Sequence, residues 1–338
     1  MIRLSRRRLA LAGAATVLAA PAFAQQRQAR SYVLTTATTG GVFYPVGVAI
    51  ATLTKVRLQA SQGLDLSAIS SAGSSENVKL LRENQAQFAI LTGLVAQFAR
   101  QGSGPFQQDG PQNNLRGLLP LWWNYDQFVV DRRLAPTGRI GDLANLYGRK
   151  YSMGARGSGL ETHHRWLFPN LGLQTDRFDL VYLGYGPTAE ALQNGTIQGG
   201  NFQAGLPTGS LTQLMASAGD RMRFLEFNEE DVAKANGGGS LLFLGTIPAN
   251  TYPNQPQPWK TARLSNYLAC NAAVPEQDVY LIVKTIFENL PFLNNIHAAT
   301  REIDLQDAAS GGPLPLHPGA IRYYRERGLT IPPAMIPG

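Results

Sequence analysis

The sequence predicts an α/β fold of two lobes with a ligand cleft and a hinge between them. Three observations lead there. Short apolar or β-branched strands alternate with amphipathic helices, the signature of parallel βαβ units. The alternation runs in two series, one on each side of Asp131-Arg132-Arg133-Leu134-Ala135-Pro136-Thr137-Gly138, which reads as a crossover. The chain is 44% hydrophobic, and the roughly 310 residues beyond its N-terminal segment are enough for two cores.

In the first series, Ser31 to Ala37 reads as a strand, Val46 to Leu53 as a helix, Leu66 to Ile69 as a strand and Asn77 to Arg82 as a helix. Phe88 to Leu91 is a short apolar run, Val95 to Arg100 a helix, and Gly117 to Val130 holds two strands. In the second series come Leu143 to Tyr147 (helix), Tyr151 to Met153 (strand), Glu161 to Phe168 (helix), Phe178 to Leu183 (strand) and Thr188 to Gln193 (helix). Asn236-Gly237-Gly238-Gly239-Ser240 marks a return to the first lobe, and residues 250–258, rich in Pro, Asn and Gln, must be irregular. A strand near Ala262 to Leu268 and a helix from Glu276 to Leu290 follow. The expected division is 1–24 as an export signal, 30–132 plus 243–338 as lobe 1, and 133–242 as lobe 2. A chain that leaves one lobe, builds a second and returns makes a cleft between them, where open α/β sheets bind ligands.

The export signal is read from Arg3, Arg6, Arg7 and Arg8, then an Ala-rich apolar stretch from Leu9 to Ala20, then Ala22-Phe23-Ala24. Basic, apolar and small-residue regions in that order make a signal peptide, cleaved after Ala24. Ser5-Arg6-Arg7-Arg8-Leu9 also resembles the twin-arginine consensus. No cysteine near the cut could carry a lipid, so a soluble product is expected. Removing four arginines from a formal charge of +7 leaves +3, with no Lys/Arg cluster, which argues against a nucleic-acid partner. Cys270, the sole cysteine, excludes an intramolecular disulfide and reads as a small buried apolar residue.

Three strand-to-helix junctions carry the chemistry. In Thr38-Thr39-Gly40-Gly41-Val42-Phe43-Tyr44-Pro45 paired glycines let backbone approach a ligand, and the free amides of a helix start attract a carboxylate or phosphate. No Gly-Lys-Ser/Thr follows, so this is not a P-loop. Ser70-Ser71-Ala72-Gly73-Ser74-Ser75-Glu76-Asn77 is the second junction, with Ser74 or Ser75 able to cap the helix. The third, in the other lobe, is Gly154-Ala155-Arg156-Gly157-Ser158-Gly159-Leu160-Glu161, whose Arg156 could grip a carboxylate. Junctions from both lobes aimed at one cleft point to an anion. His163 and His164 lie about 100° apart on a helix and cannot easily share a metal ion, and Gly157-Ser158-Gly159 is not a hydrolase elbow. No cofactor, metal or catalytic residue is expected. Trp122, Trp123 and Tyr125 lie at a strand end, either as packing or as a cleft wall.

Gly40-Gly41-Val42-Phe43-Tyr44-Pro45-Val46-Gly47, Gly73-Ser74-Ser75-Glu76-Asn77 and Gly157-Ser158-Gly159 resemble, in order, motifs of the TAXI family, the solute receptors of a branch of tripartite ATP-independent periplasmic (TRAP) transporters. Gly205-Leu206-Pro207-Thr208, the Ile247 to Pro253 segment and Pro315-Leu316-His317-Pro318-Gly319 through Tyr324 extend the resemblance over nearly the whole chain beyond residue 24. It implies a type II periplasmic-binding-protein fold, hinge closure on glutamate, glutamine or a dicarboxylate such as 2-oxoglutarate, and delivery to an ion-coupled TRAP permease by a periplasmic monomer. It also implies binding positions at Gly41, Phe43, Tyr44, Ser74, Ser75, Asn77, Gly157, Ser158 and Gly159. Gly40, Thr92, Trp123, Arg156 and Gln203 complete the candidate set. The chain departs from the family pattern in Ile90-Leu91-Thr92-Gly93-Leu94, where Asp often follows the strand, at Gln198, where Asp is usual, and at Arg156, where Pro is common. Fewer carboxylates at the cleft would favour an anionic ligand. Two other classes are a ligand-sensing adaptor for a membrane sensor or another permease, and an exported hydrolase, for which no nucleophile and base stand out.

Overall fold

The structure is a computed structural model that describes residues 29–309 and 312–338. The expected signal peptide at 1–24 lies outside the described residues. Eleven strands among the described residues form two sheets: β1 (Arg30–Thr35), β2 (Leu64–Ile69), β3 (Phe88–Thr92), β4 (Leu115–Tyr125), β5 (Phe128–Asp131), β6 (Lys150–Ser152), β7 (Asp179–Val181), β8 (Gly199–Asn201), β9 (Met222–Phe224), β10 (Phe243–Ile247) and β11 (Trp259–Asn271). The first sheet runs β10-β11-β3-β1-β2, with β4 on β11; the second runs β7-β6-β8-β5-β9. The two-lobed α/β class expected from the alternation of elements is the one observed.

In the first lobe β1 pairs parallel with β2 and β3, as βαβ units require, while β11 returns antiparallel against β3, β4 and β10. Its core packs Leu34, Phe88 and Ile90 of the sheet on Val46 and Ile50 of the helix Phe43–Thr54. That helix begins three residues before the expected Val46, because Pro45 is tolerated in a first turn whose amides have no intrahelical partner. From the helix Ser74–Arg82, packed on the same sheet, Asn77, fully buried, donates Nδ2 to the carbonyls of Thr36 (2.7 Å) and Ile90 (2.9 Å). Its Oδ1 accepts from the hydroxyls of Thr35 and Ser71, each at 2.7 Å.

The chain crosses to the second lobe at Asp126-Gln127. β5, assigned to lobe 1 by the expected boundary at 132, pairs antiparallel with β8 and β9 in the second sheet. No Gly or Pro marks this crossing; two buried polar residues do. Asp126 Oδ1 accepts from Asn201 Nδ2 (2.8 Å) and Gln203 Nε2 (2.9 Å), and Oδ2 lies 3.0 Å from His163 Nε2. Burial alone would raise the Asp126 pKa, but His163 and the two amides outweigh it and hold the carboxyl below its usual range. Gln127 donates to the Phe202 carbonyl (2.8 Å) and Thr208 Oγ1 (3.1 Å), and accepts from Tyr252.

β11 runs past this knot: Leu268 and Cys270 lie in the first core, Ala262 and Leu264 in the second, and Trp259 among the aromatics of a third cluster. Cys270 is buried and free, as expected, and burial pushes its thiol pKa up. The segment expected as a helix at Leu143 to Tyr147 is a 3-10 turn, Ile140–Leu146, and the helix expected to reach Leu290 stops at Glu288 before a separate one, Leu290–Ile296. Pro291 explains the second difference, since it fits only a first turn.

Removing the Asp126 charge while keeping its shape leaves His163 or the two amides facing a wrong partner. D126N is therefore expected to lose about 3–5 kcal/mol of stability, read from urea unfolding midpoints. His164, also buried, faces the Met153 carbonyl with Nδ1 (3.2 Å) and the Tyr151 hydroxyl with Nε2 (3.2 Å). Burial first and His163 second pull its pKa from 6.5 to about 3. A depressed folded pKa means the contribution to stability is complete above pH 6.5 and is lost as pH falls towards 3, because only the unfolded chain takes up the proton. Unfolding measured across that window is expected to steepen by up to about one proton, roughly 1.4 kcal/mol per pH unit, and H164Q to flatten it.

Candidate functional site

A cavity lies where the two sheets face each other across the crossover. Five helix N-termini contribute to its lining: Val42 and Phe43 at the start of Phe43–Thr54, Gly73 and Ser74 at Ser74–Arg82, Thr92 at Gly93–Gln101, Ser158 and Gly159 at Gly159–Asn170, and Gly184 and Tyr185 at Tyr185–Gln193. Three starts belong to the first lobe and two to the second. The first amides of each helix have no intrahelical acceptor, and each helix dipole adds about half a positive charge at that end. The remaining lining residues are small, apolar or neutral-polar, among them Thr38, Asn124 and Gln203; none of the nineteen carries a charge. The volume is about 50 Å³, room for a few water molecules.

The hydroxyls at these starts are already engaged. Ser74 Oγ accepts from the Thr92 amide (3.0 Å), Thr92 Oγ1 caps its helix by accepting from Val95 N (3.5 Å), and Ser158 Oγ accepts from Glu161 N (3.0 Å). His163 is held by Asp126 and His164 by Tyr151 and Met153, so neither serine is paired with an imidazole. The two rings lie 6.2 Å apart with different partners, and among the described residues no three His, Cys, Asp or Glu groups cluster as metal ligands. Tyr185 donates its hydroxyl to the Gln203 carbonyl (2.6 Å); burial, then the Asp126 charge, pushes its pKa up.

The lobes touch across the cavity mouth. Ser75 Oγ meets Thr162 Oγ1 at 2.8 Å, Glu76 N donates to the Gly157 carbonyl at 2.9 Å, and Ser210 Oγ donates to the Gly40 carbonyl at 3.1 Å. Beside these contacts the lobes also approach closely at Gly40, which needs glycine, and at Gly159, where a side chain would be tight. A Cβ on Gly40 would lie 2.8 Å from the Gly186 nitrogen, and one on Gly159 would lie 3.0 Å from the Ser74 side chain.

Of the expected binding residues, Gly41, Phe43, Ser74, Thr92, Ser158, Gly159 and Gln203 line the cavity. Gly40, Ser75 and Gly157 instead make the contacts between lobes just described. Asn77 does not reach the cavity, because its whole amide is used in joining β1 to β3. Tyr44 is half-buried and outside the lining. Arg156 is exposed, with its guanidinium 3.6 Å over the Tyr182 ring, so it points away from the site it was expected to serve. Trp123 packs edge-on against Phe243 (5.5 Å) and beneath Arg263 (4.4 Å), and the next residue on β4, Asn124, takes the place on the cavity wall. Gln198 bonds Lys150 N (3.2 Å) beyond the cavity, so the missing acid there does not bear on a ligand.

The sequence reading misses Asn124, Gly184 and Tyr185. The Gly184-Tyr185-Gly186-Pro187 run looks irregular, yet Pro187 sits in the helix's first turn, so the amides of Tyr185 and Gly186 are the ones left open.

Among solved structures, a protein from Bordetella bronchiseptica RB50 is 15% identical over 88% of this chain and 82% of its own, with a TM-score of 0.50. An R. palustris protein solved with adipate is 15% identical over 77% and 83%, at 0.48. The periplasmic aliphatic sulphonate binding protein of Escherichia coli is 14% identical over 79% and 74%, at 0.42. The model of the NMT1-like family matches residues 34–328, which is most of the sequence, and the chain belongs to that family.

Proposed function

We propose that the protein is a periplasmic solute receptor, not an enzyme, that closes on a small organic anion and delivers it to a membrane permease. One observation carries this reading: five helix N-termini from two lobes meet at a cavity whose lining contains no charged side chain. Their summed positive ends favour an anion in the cavity, although Glu76 and Glu161 accept from amides at two of the starts and Asp126 lies behind Gln203. A cavity of about 50 Å³ fits a small solute rather than a peptide or lipid. Among the described residues no helix is long and apolar enough to cross a membrane. The ordered motifs shared with the TAXI receptors support a TRAP-type permease as the partner, and the N-terminal signal supports export. Glutamate, 2-oxoglutarate and dicarboxylates are the first ligands to try.

A carboxylate held by backbone dipoles does not require Arg156. Carboxylates should raise the melting temperature of the protein lacking residues 1–24, by the equivalent of about 2.7 kcal/mol at a hundredfold excess over Kd. Stabilisation by neutral solutes alone would rule the anion reading out. In calorimetric titrations of the best ligand, G40A is expected to weaken binding by about 5- to 100-fold, the cost of an overpacked contact between the lobes. R156A should keep affinity within about threefold, as expected for an exposed side chain outside the cavity.

A further inference from the structure

Asn124 and Gln203, on the inner wall of the cavity, are 2% and 3% exposed, and each has one end of its amide fixed by the protein. Asp126 Oδ1, an acceptor, lies 2.9 Å from Gln203 and so must face its Nε2. Gln203 Oε1 is then the atom left for the cavity; it has no protein partner and is not among the sealed, unpaired atoms. For Asn124 the chain of logic is one step longer. The Trp122 carbonyl accepts from Asn266 Nδ2 (2.9 Å), which fixes that amide, and the same Nδ2 donates to Asn124 Oδ1 (2.7 Å). Asn124 Nδ2 is thereby left for the cavity, likewise without a protein partner and not sealed.

The wall therefore offers one N–H donor and one C=O acceptor, and both are neutral. Behind the acceptor sits the buried Asp126 carboxylate, which polarises the Gln203 amide so that Oε1 becomes more negative. A second ligand carboxylate at this end would bring only acceptors towards that oxygen. A carboxamide would match both atoms, accepting from Asn124 and donating to Gln203.

We infer that Asn124 and Gln203 read the end of the ligand opposite its carboxylate, so that the cavity prefers a small acid with an uncharged donor–acceptor terminus, such as a carboxamide, to a dicarboxylate. This rests on the anion reading above and narrows it. A polar pocket built for one hydrogen-bonding pattern rejects a ligand that leaves its groups unpaired far more strongly than an apolar pocket rejects a change of size.

The test compares succinate, succinamate and succinamide, with glutarate and glutaramate as the longer pair, by calorimetry on the protein lacking residues 1–24. Tighter binding of the monoamides than of the dianions, by about tenfold or more, is the expected result. Dianions bound as tightly or more tightly would overturn the inference and leave the anion reading standing. Binding of neutral succinamide alone would overturn the anion reading and, with it, the acid half of the inference. Silence from all five would overturn both. N124D keeps the oxygen that faces Asn266 and turns the cavity donor into an acceptor, so it should weaken succinamate at least about tenfold, and the newly buried carboxylate should also lower the ligand-free melting temperature. An N124D protein that binds succinamate within threefold of the parent would remove Asn124 from the pair. Should N124D fail to fold, the ranking of the five ligands on the parent protein still decides.

Discussion

A single buried carboxylate organises this molecule. Asp126 sits where the chain first passes between the sheets, fully out of water, and its three side-chain partners come from different places: His163 on the helix Gly159–Asn170, Asn201 on β8 and Gln203 just beyond it. A buried charge without partners costs several kcal/mol, so those elements cannot drift from the crossover without a large penalty. His163 lies four residues after Gly159, about 6 Å along the helix. Holding His163 therefore holds the helix start that lines the cavity. The same carboxylate, through Gln203, sets which atom of that amide is left for the cavity.

The electrostatics of the cavity follow from this geometry rather than from charged side chains. An arginine brings a full charge on a flexible stem that must be ordered at a cost of up to about 2 kcal/mol. Five helix starts bring partial charges that are already fixed by the fold. Arg156, the cation the local sequence offers, instead lies on Tyr182, where stacking on a ring needs no ligand. Exposed and outside the lining, it contributes little field inside the cavity.

How much of this was legible in the sequence depended on whether the signal was local. The junctions at Gly40-Gly41, Gly73-Ser74 and Ser158-Gly159 combine glycine with a following apolar-periodic run, and at Ser158 a capping hydroxyl as well, so their position between strand and helix could be read directly. Side-chain direction on β4 could not. Both faces of that strand are largely covered, its burial does not alternate, and nothing in Trp122-Trp123-Asn124-Tyr125 tells which residue faces a ligand. The family resemblance implied Asn77 as a binding residue, yet all its hydrogen-bonding capacity is used by backbone and hydroxyls brought together only in the fold. The crossing at Asp126-Gln127 lacked the glycine or proline that usually marks one, because a network of distant partners, not a turn, makes it. β8, at Gly199-Gly200-Asn201, has no strand-forming residue to betray it; its glycines leave room for Tyr151, Leu146 and Thr188.

The division of labour within the site also implies an order of events for the proposed closure. Asn124 and Gln203 stand beside the crossover, joined to it by Asp126 and by the Tyr125 to Ala204 backbone pairing, so their positions change least when the lobes part. The helix starts belong to opposite lobes and form one field only when the lobes meet. The contacts that hold the mouth shut, at Ser75–Thr162, Glu76–Gly157 and Ser210–Gly40, are few, and each hydrogen bond is worth about 1 kcal/mol net. Leu94 and Tyr185 add apolar contact between the lobes, while the like-signed helix ends repel one another across an empty cavity. An anion between those ends changes the sign of that term, from repulsion to attraction on both sides. The neutral end of a ligand can therefore dock first on the fixed wall, and its charge then decides whether the lobes close, which is how a receptor distinguishes occupied from empty.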